Sequence, residues 1–251
     1  MEQPNFANAH DLLLIIFAGV LPAFLLILYI YIKDKYQREP MAQIIRGFAF
    51  GIVSAIIALL LEIFIEWIIG TMPEGWRGAL LNAFVVAAIP EEAAKLLMLY
   101  LLIRSNPDFD ERFDGIVYAV CVSMGFAATE NIVYLIAHHV WVPVAISRAI
   151  FAVPGHFLFA VAMGYFYARL YFDKSGLMTA LAVFLVPVLL HGTYDALLMI
   201  ANAEPGWSTT VVILFYIFFF QMFKYGRKRI RKQLENDRRD PAQRAYYAKE
   251  D

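Results

Sequence analysis

Ten ionisable side chains stand in stretches that are otherwise apolar: Glu62, Glu66, Glu91, Glu92, Lys95, Glu130, Arg148, His156, His191 and Asp195. Carboxylates and imidazoles together can take a proton from water, return it to a departing amine, or hold a divalent metal ion. Spacing groups them further. Glu91 and Lys95 are four residues apart, as are His191 and Asp195, so each pair shares one helix face. Ser123, Ser147 and Thr129 have no His–Asp partner at suitable spacing, so serine hydrolysis is not expected. The single cysteine, Cys121, rules out a disulfide within the chain and a cysteine-built metal cluster, and reads as a packing residue.

The elements that must carry these groups follow from composition. The chain has 251 residues, 61% hydrophobic and 17% charged, against about 25% charged in soluble domains. Apolar runs long enough for a ~30 Å hydrocarbon core cover residues 12–32, 44–69, 79–103, 115–137, 144–171 and 177–200. A shorter run covers residues 209–223. The expected fold is all-α, a polytopic membrane bundle of about seven transmembrane helices. Residues 1–223 form one transmembrane domain with a four-helix core at about 78–200, and 224–251 form a basic tail. The first run has neither the basic start nor the cleavage site of a signal peptide.

With the amino terminus outside, 18 of the 21 Lys and Arg fall in cytoplasmic segments, and only Arg77 lies in an external loop. The positive-inside bias therefore predicts an external amino terminus and a cytoplasmic carboxyl terminus. The tail segment KYGRKRIRK, residues 224–232, is expected to sit on anionic head groups.

Buried charges are costly in lipid and face a bundle interior or a wet cavity. At 1.5 Å per residue, Glu91, Glu92, Glu130, His156 and His191 agree within ~8 Å along the membrane normal, in the outer half of the bilayer. Pro90, Pro154 and Pro187 precede the polar groups of their helices, and a proline there loosens backbone hydrogen bonding where a cavity is needed. Glu62 and Glu66 read as lining an external vestibule or making a packing contact, outside the catalytic set. Arg148 is a candidate partner for Glu130 or for substrate, and His138 and His139 read as solvated loop residues.

Four motifs in order resemble a known family. The third run carries I-P-E-E-A-A-K, an E-E-x-x-K pattern at Glu91, Glu92 and Lys95. The fourth carries F-x-x-x-E at Phe126 and Glu130, followed by Asn131. The fifth carries P-G-H-F at His156, and the sixth H-G-T-Y-D at His191 and Asp195. The pattern resembles the PrsW family of bacterial membrane proteases, related to the CAAX-processing and bacteriocin-processing group. In that wider group the second motif ends in His, whereas Glu130 stands here. The resemblance implies a bacterial cell-membrane enzyme that cleaves an anti-sigma factor, a single-pass protein, on its external side. The expected partners are that substrate and membrane lipids, with no nucleic acid.

Two chemistries fit the residues. Without metal, Glu91 is the general base, sharing a proton with Glu130, while His191 and Asp195 position water or stabilise the oxyanion. Lys95 and Glu92 then hold the third span electrostatically, with Asn131 in support. With metal, His156, His191 and one or two of Glu91, Glu92 and Glu130 bind Zn²⁺, leaving a position for water. The lack of an H-E-x-x-H helix tilts the reading slightly to the metal-free case. A proton-coupled transporter or channel and a non-catalytic membrane scaffold are the alternatives from other classes.

Overall fold

The computed structural model describes residues 9–34, 37–138 and 140–240. Every regular element among them is helical. In chain order they are α1 (Ala9–Lys33), α2 (Met41–Ile69), α3 (Gly75–Leu81), a π segment (Asn82–Ala88), α4 (Ile89–Ile103) and α5 (Asp114–Ala137). Then come α6 (Trp141–Ser147), a second π segment (Arg148–Ala152), α7 (Val153–Phe172), α8 (Leu177–Ala203) and α9 (Ser208–Arg239). Six helices are long and apolar enough to cross a membrane, taking Trp141–Phe172 as one. The unbroken run of α3, π segment and α4 supplies a seventh crossing, composite rather than regular.

Both π segments lie just ahead of a proline at the start of the next helix, Pro90 in α4 and Pro154 in α7. A proline inside a regular helix removes a donor and drives its ring into the carbonyl four residues back. Widening the turn relieves that contact. Ile89 N–H bonds Phe84 O, and Val153 N–H bonds Arg148 O, each reaching back five residues. Such bulges are frequent at functional sites, and each here leads into a helix bearing the polar layer.

Helix α5 is the axis of the bundle, buried at almost every position from Asp114 to Ala128. It packs on α1, α2, α4 and α7. Two contacts let backbones touch. A Cβ on Gly125 would stand 2.0 Å from Phe48 O in α2, and one on Gly164 of α7 would stand 2.1 Å from Gly115 O. Small residues at crossings are how membrane helices gain van der Waals contact where lipid gives no hydrophobic drive. Around this axis, α8 packs on α7, α9 and the α3 segment. Large apolar side chains such as Leu60, Phe64, Trp67 and Phe220 point outward, as a lipid-facing surface requires.

The end of the bundle where α4 stops and α5, α8 and α2 begin is the basic end. There α9 continues past the apolar run of residues 209–223 and docks. The Asp237 carboxylate accepts from Arg112 N–H at 3.0 Å and Phe113 N–H at 2.9 Å, capping α5. Arg112 also pairs with Asp173 and Asp240. Of the expected tail, 224–251, helix α9 includes the part up to Arg239; residues 241–251 lie outside the described residues, as do Lys35 and His139. At the opposite end Glu204 accepts from Trp76 N–H at 3.0 Å, at the start of α3, and His138 is exposed at the end of α5.

Candidate active site

Four helices bring the polar layer together. Glu91, Glu92 and Lys95 come from α4, Glu130 and Asn131 from α5, His156 from α7, and His191 and Asp195 from α8. Glu91, Glu92, Lys95, His156 and His191 are each at most 6% exposed. The side chains of Glu130 and Asp195 retain 22% and 20% exposure, which opens the cluster on one side.

Lys95 is the electrostatic hub. Its Nζ lies 3.0 Å from Glu91 Oε2, 2.8 Å from Glu92 Oε1 and 3.2 Å from His156 Nδ1. It also sits 3.9 Å from the centre of the Phe126 ring, which gives the phenylalanine of the F-x-x-x-E motif a physical task. Glu92 is fully buried and faces inward; its Oε1 also meets His191 Nδ1 at 2.9 Å. Glu92 therefore orients other groups.

Each imidazole is held from both sides. His191 Nε2 stands 3.1 Å from Asp195 Oδ2 and 3.9 Å from Glu91 Oε2. Phe159 stacks on the His191 ring at 4.8 Å between centres. His156 Nε2 meets Glu130 Oε2 at 2.8 Å. Beyond Glu130 stands Arg148, the first residue of the second π segment. Its Nη2 is 2.8 Å from Glu130 Oε2, its Nε donates to Asn131 Oδ1 at 2.6 Å, and its guanidinium covers Tyr134 at 4.0 Å. Asn131 in turn donates to Gly19 O of α1 at 3.2 Å. So Glu130 is engaged by Arg148 and His156, and a proton shared with Glu91 is not its principal contact.

Glu62 of α2 is half-buried and within electrostatic reach of Glu130, Lys95 and His191, whereas Glu66 is exposed. The sequence offers Arg148 only as one candidate partner for Glu130, and gives Phe159 no part at all. An arginine at the mouth of a span and a phenylalanine three residues after His156 carry that signal only once the helix faces are known.

The donor set suits a divalent metal. Glu91, His156 and His191 each present a ligand atom, and these lie within 4.8 Å of one another. Two histidines and one carboxylate match zinc sites that keep a position for water. Glu92 behind His191 and Glu130 behind His156 supply the carboxylate–histidine support such ligands usually have. The acidic excess agrees: Glu91, Glu92, Glu130 and Asp195 gather with the cations Lys95 and Arg148 around the two imidazoles. The competing observation is Lys95, whose ammonium already bonds Glu91 and His156; a metal there requires Nζ to fall back on Glu92.

Comparison with known proteins agrees with the geometry. The profile of the PrsW family intramembrane metalloproteases matches residues 39–222. Protease PrsW of Geobacillus kaustophilus is 39% identical across 77% of this chain and 82% of its own length. Protease PrsW of Bacillus subtilis is 34% identical across 87% and 94%, and that of Clostridioides difficile 33% across 81% and 86%. No solved structure matches. A protease family profile spanning every helix of the polar layer sets aside the transporter and scaffold readings, and the chain belongs to the PrsW family of membrane-embedded proteases.

Proposed function

We propose that the chain hydrolyses a peptide bond of a single-pass membrane protein, in the external half of the bilayer, at the Glu91–His156–His191 centre. The observation that carries this is three buried ligand atoms from three helices within 4.8 Å of one another, beside carboxylates open to one side. By family resemblance the substrate is an anti-sigma factor. The positive-inside bias assigns the basic end to the cytoplasm and the mouth formed by Glu62, Arg148 and Asp195 to the outside of a bacterial cell membrane.

Glu91, His156 and His191 would hold the metal, which when bound would polarise water and the scissile carbonyl. Glu92 keeps the His191 Nδ1 proton and so directs Nε2 to the centre. Glu130 does the same for His156 through Nε2, with Arg148 fixing the carboxylate. Asp195 Oδ2, partly open to solvent, accepts the proton of the attacking water and returns it to the leaving amine. Lys95 lowers the repulsion between Glu91 and Glu92. A metal-free reading is favoured by one contact, the Lys95 ammonium among the same ligand atoms. There Glu91 is the base that activates water.

The test is co-expression with candidate single-pass proteins, followed by purified cleavage of a quenched-fluorescent peptide containing a transmembrane segment and its external stalk. Glu91→Gln, Glu92→Gln and His191→Ala should each lose cleavage while remaining folded. Wild-type rates in all three overturn the site. Elemental analysis of active protein, with chelation and readdition, decides the metal: full activity without stoichiometric metal leaves the glutamate mechanism.

A further inference from the structure

At the basic end, far from the polar layer, three cationic side chains converge on one tyrosine. The Arg229 guanidinium of α9 lies over the Tyr165 ring of α7, 4.5 Å from its centre. Lys232 Nζ and the Arg169 guanidinium are each 6.0 Å from the same centre. Gln233 Nε2 reaches Tyr165 O at 3.5 Å and keeps the two helices in register. Tyr225 and Phe166 flank Arg229 at 4.6 and 5.8 Å.

Among the described residues, the fully buried Tyr165 hydroxyl and the buried Nε of Arg229 have no hydrogen-bond partner, although the Tyr225 hydroxyl bonds the guanidinium elsewhere. A buried donor left without an acceptor is destabilising, so both groups call for one. Asp173, which is exposed, contacts Arg169 at 3.5 Å and is shared with Arg112. Like charges gathered around a neutral ring, with N–H and O–H groups lacking acceptors, describe the protein half of an anion site. The missing half has several acceptor oxygens and negative charge.

We propose that Arg169, Arg229, Lys232 and the Tyr165 hydroxyl bind a phosphate group, either in the head group of an anionic phospholipid or free in the cytosol. Depth is suited to the former. Tyr165 lies two turns before the end of α7, and Arg229 and Lys232 lie within about three turns after the apolar run of α9, at the membrane–water boundary. Basic pockets between transmembrane helices on the cytoplasmic side are where such head groups are held. The inference shares with the proposed function only the assignment of the basic end to the cytoplasm, and makes no use of proteolysis.

Native mass spectrometry of the full chain in detergent tests it, with phosphatidylglycerol, phosphatidylcholine or inorganic phosphate added. Phosphatidylglycerol should be retained over phosphatidylcholine, and Arg229→Gln or Lys232→Gln should each weaken retention about fivefold. Tyr165→Phe keeps the ring and should weaken it through the hydroxyl alone. The double variant Lys224→Gln/Arg227→Gln removes charge from the exposed face of the same helix and should bind as wild type does. Binding of inorganic phosphate, lost in Arg229→Gln, keeps the site and makes the cytosol its source. The proposal is overturned if the lipids are retained equally and phosphate does not bind, or if Arg229→Gln, Lys232→Gln and Tyr165→Phe are without effect. It is also overturned if the exposed-face double variant is as damaging as they are.

Discussion

His156 of α7 and His191 of α8 stand edge to face with ring centres 5.4 Å apart, and each has its own carboxylate behind it. Glu130 holds His156 Nε2 at 2.8 Å, and Glu92 holds His191 Nδ1 at 2.9 Å. Two imidazoles, fixed by two acids from two other helices, turn a loose polar layer into a defined centre.

Glu92 should therefore be separable from Glu91. Glu92 is buried and orients Lys95 and His191 without an open side, so Glu92→Asp should retain fold and part of the function. Support residues of this sort typically alter metal affinity or activity by about 10–100-fold. Glu91→Asp withdraws a group from the centre itself and should cost more. Parallel cleavage rates and metal content in the two variants check the order; equal losses would remove the distinction.

Arg148 acts on the centre through Glu130. Arg148→Gln frees a carboxylate that is 22% exposed to turn toward water, and His156 loses the acceptor that fixes its tautomer. The expected result is a fall in kcat of about 10–100-fold with KM little changed, partly restored in Arg148→Lys, which keeps the charge but not the bond to Asn131. A change confined to KM would instead assign Arg148 to substrate contact. ¹⁵N spectra of His156 provide a second readout, since the Nε2-protonated form should dominate only while Arg148 is present.

The family and the polar layer were legible in the sequence because a charged residue in an apolar run has few reasons to be there. Glu91, Glu130, His156 and His191 announced themselves that way, and seven crossings followed from hydropathy. The π segments were not legible. Pro90 and Pro154 signal disturbed backbone, but whether a helix kinks or widens depends on what packs around it. Nor was the pairing of Glu130 with Arg148 fixed by sequence, because it requires the rotation of α5 against the second π segment. The docking of Asp237 on the start of α5 was hidden for another reason: it lies in a charged segment where one more aspartate carries no signal.

Close helix contact gives a prediction about stability. At Gly125 a Cβ would meet Phe48 O at 2.0 Å, and at Gly51 it would meet Val122 O at the same distance. Backbone cannot move aside as a side chain can, so Gly125→Ala must separate α2 from α5. Overpacking of this kind costs about 1–3 kcal/mol, or roughly 2–4 °C in Tm per kcal/mol for a chain of this size. Gly206→Ala, where an added Cβ meets nothing within 4 Å, should leave Tm unchanged. Detergent thermal melts compare the two, and equal Tm values would deny the packing argument.

The basic end should also make stability depend on pH. Asp34 is 1% exposed, and burial, then Glu39, push its pKa up to about 7. Glu39, bonded by the Tyr118 hydroxyl, is likewise pushed up to about 7, chiefly by burial. Asp237 also faces Asp34 and raises its pKa, while Arg38 and a Glu39 backbone bond oppose the shift. In the unfolded chain an aspartate titrates near pH ~3.9. A folded pKa above the unfolded one means that the folded state keeps its proton longer, so the stabilisation is complete below about pH 4 and is lost as pH rises through 7. Thermal stability in detergent should accordingly fall between pH 5 and pH 8. Asp34→Asn cannot ionise, so it should flatten that fall and raise Tm at pH 8 more than at pH 5. A variant whose melting curve keeps the wild-type slope would show that Asp34 is not the group being titrated.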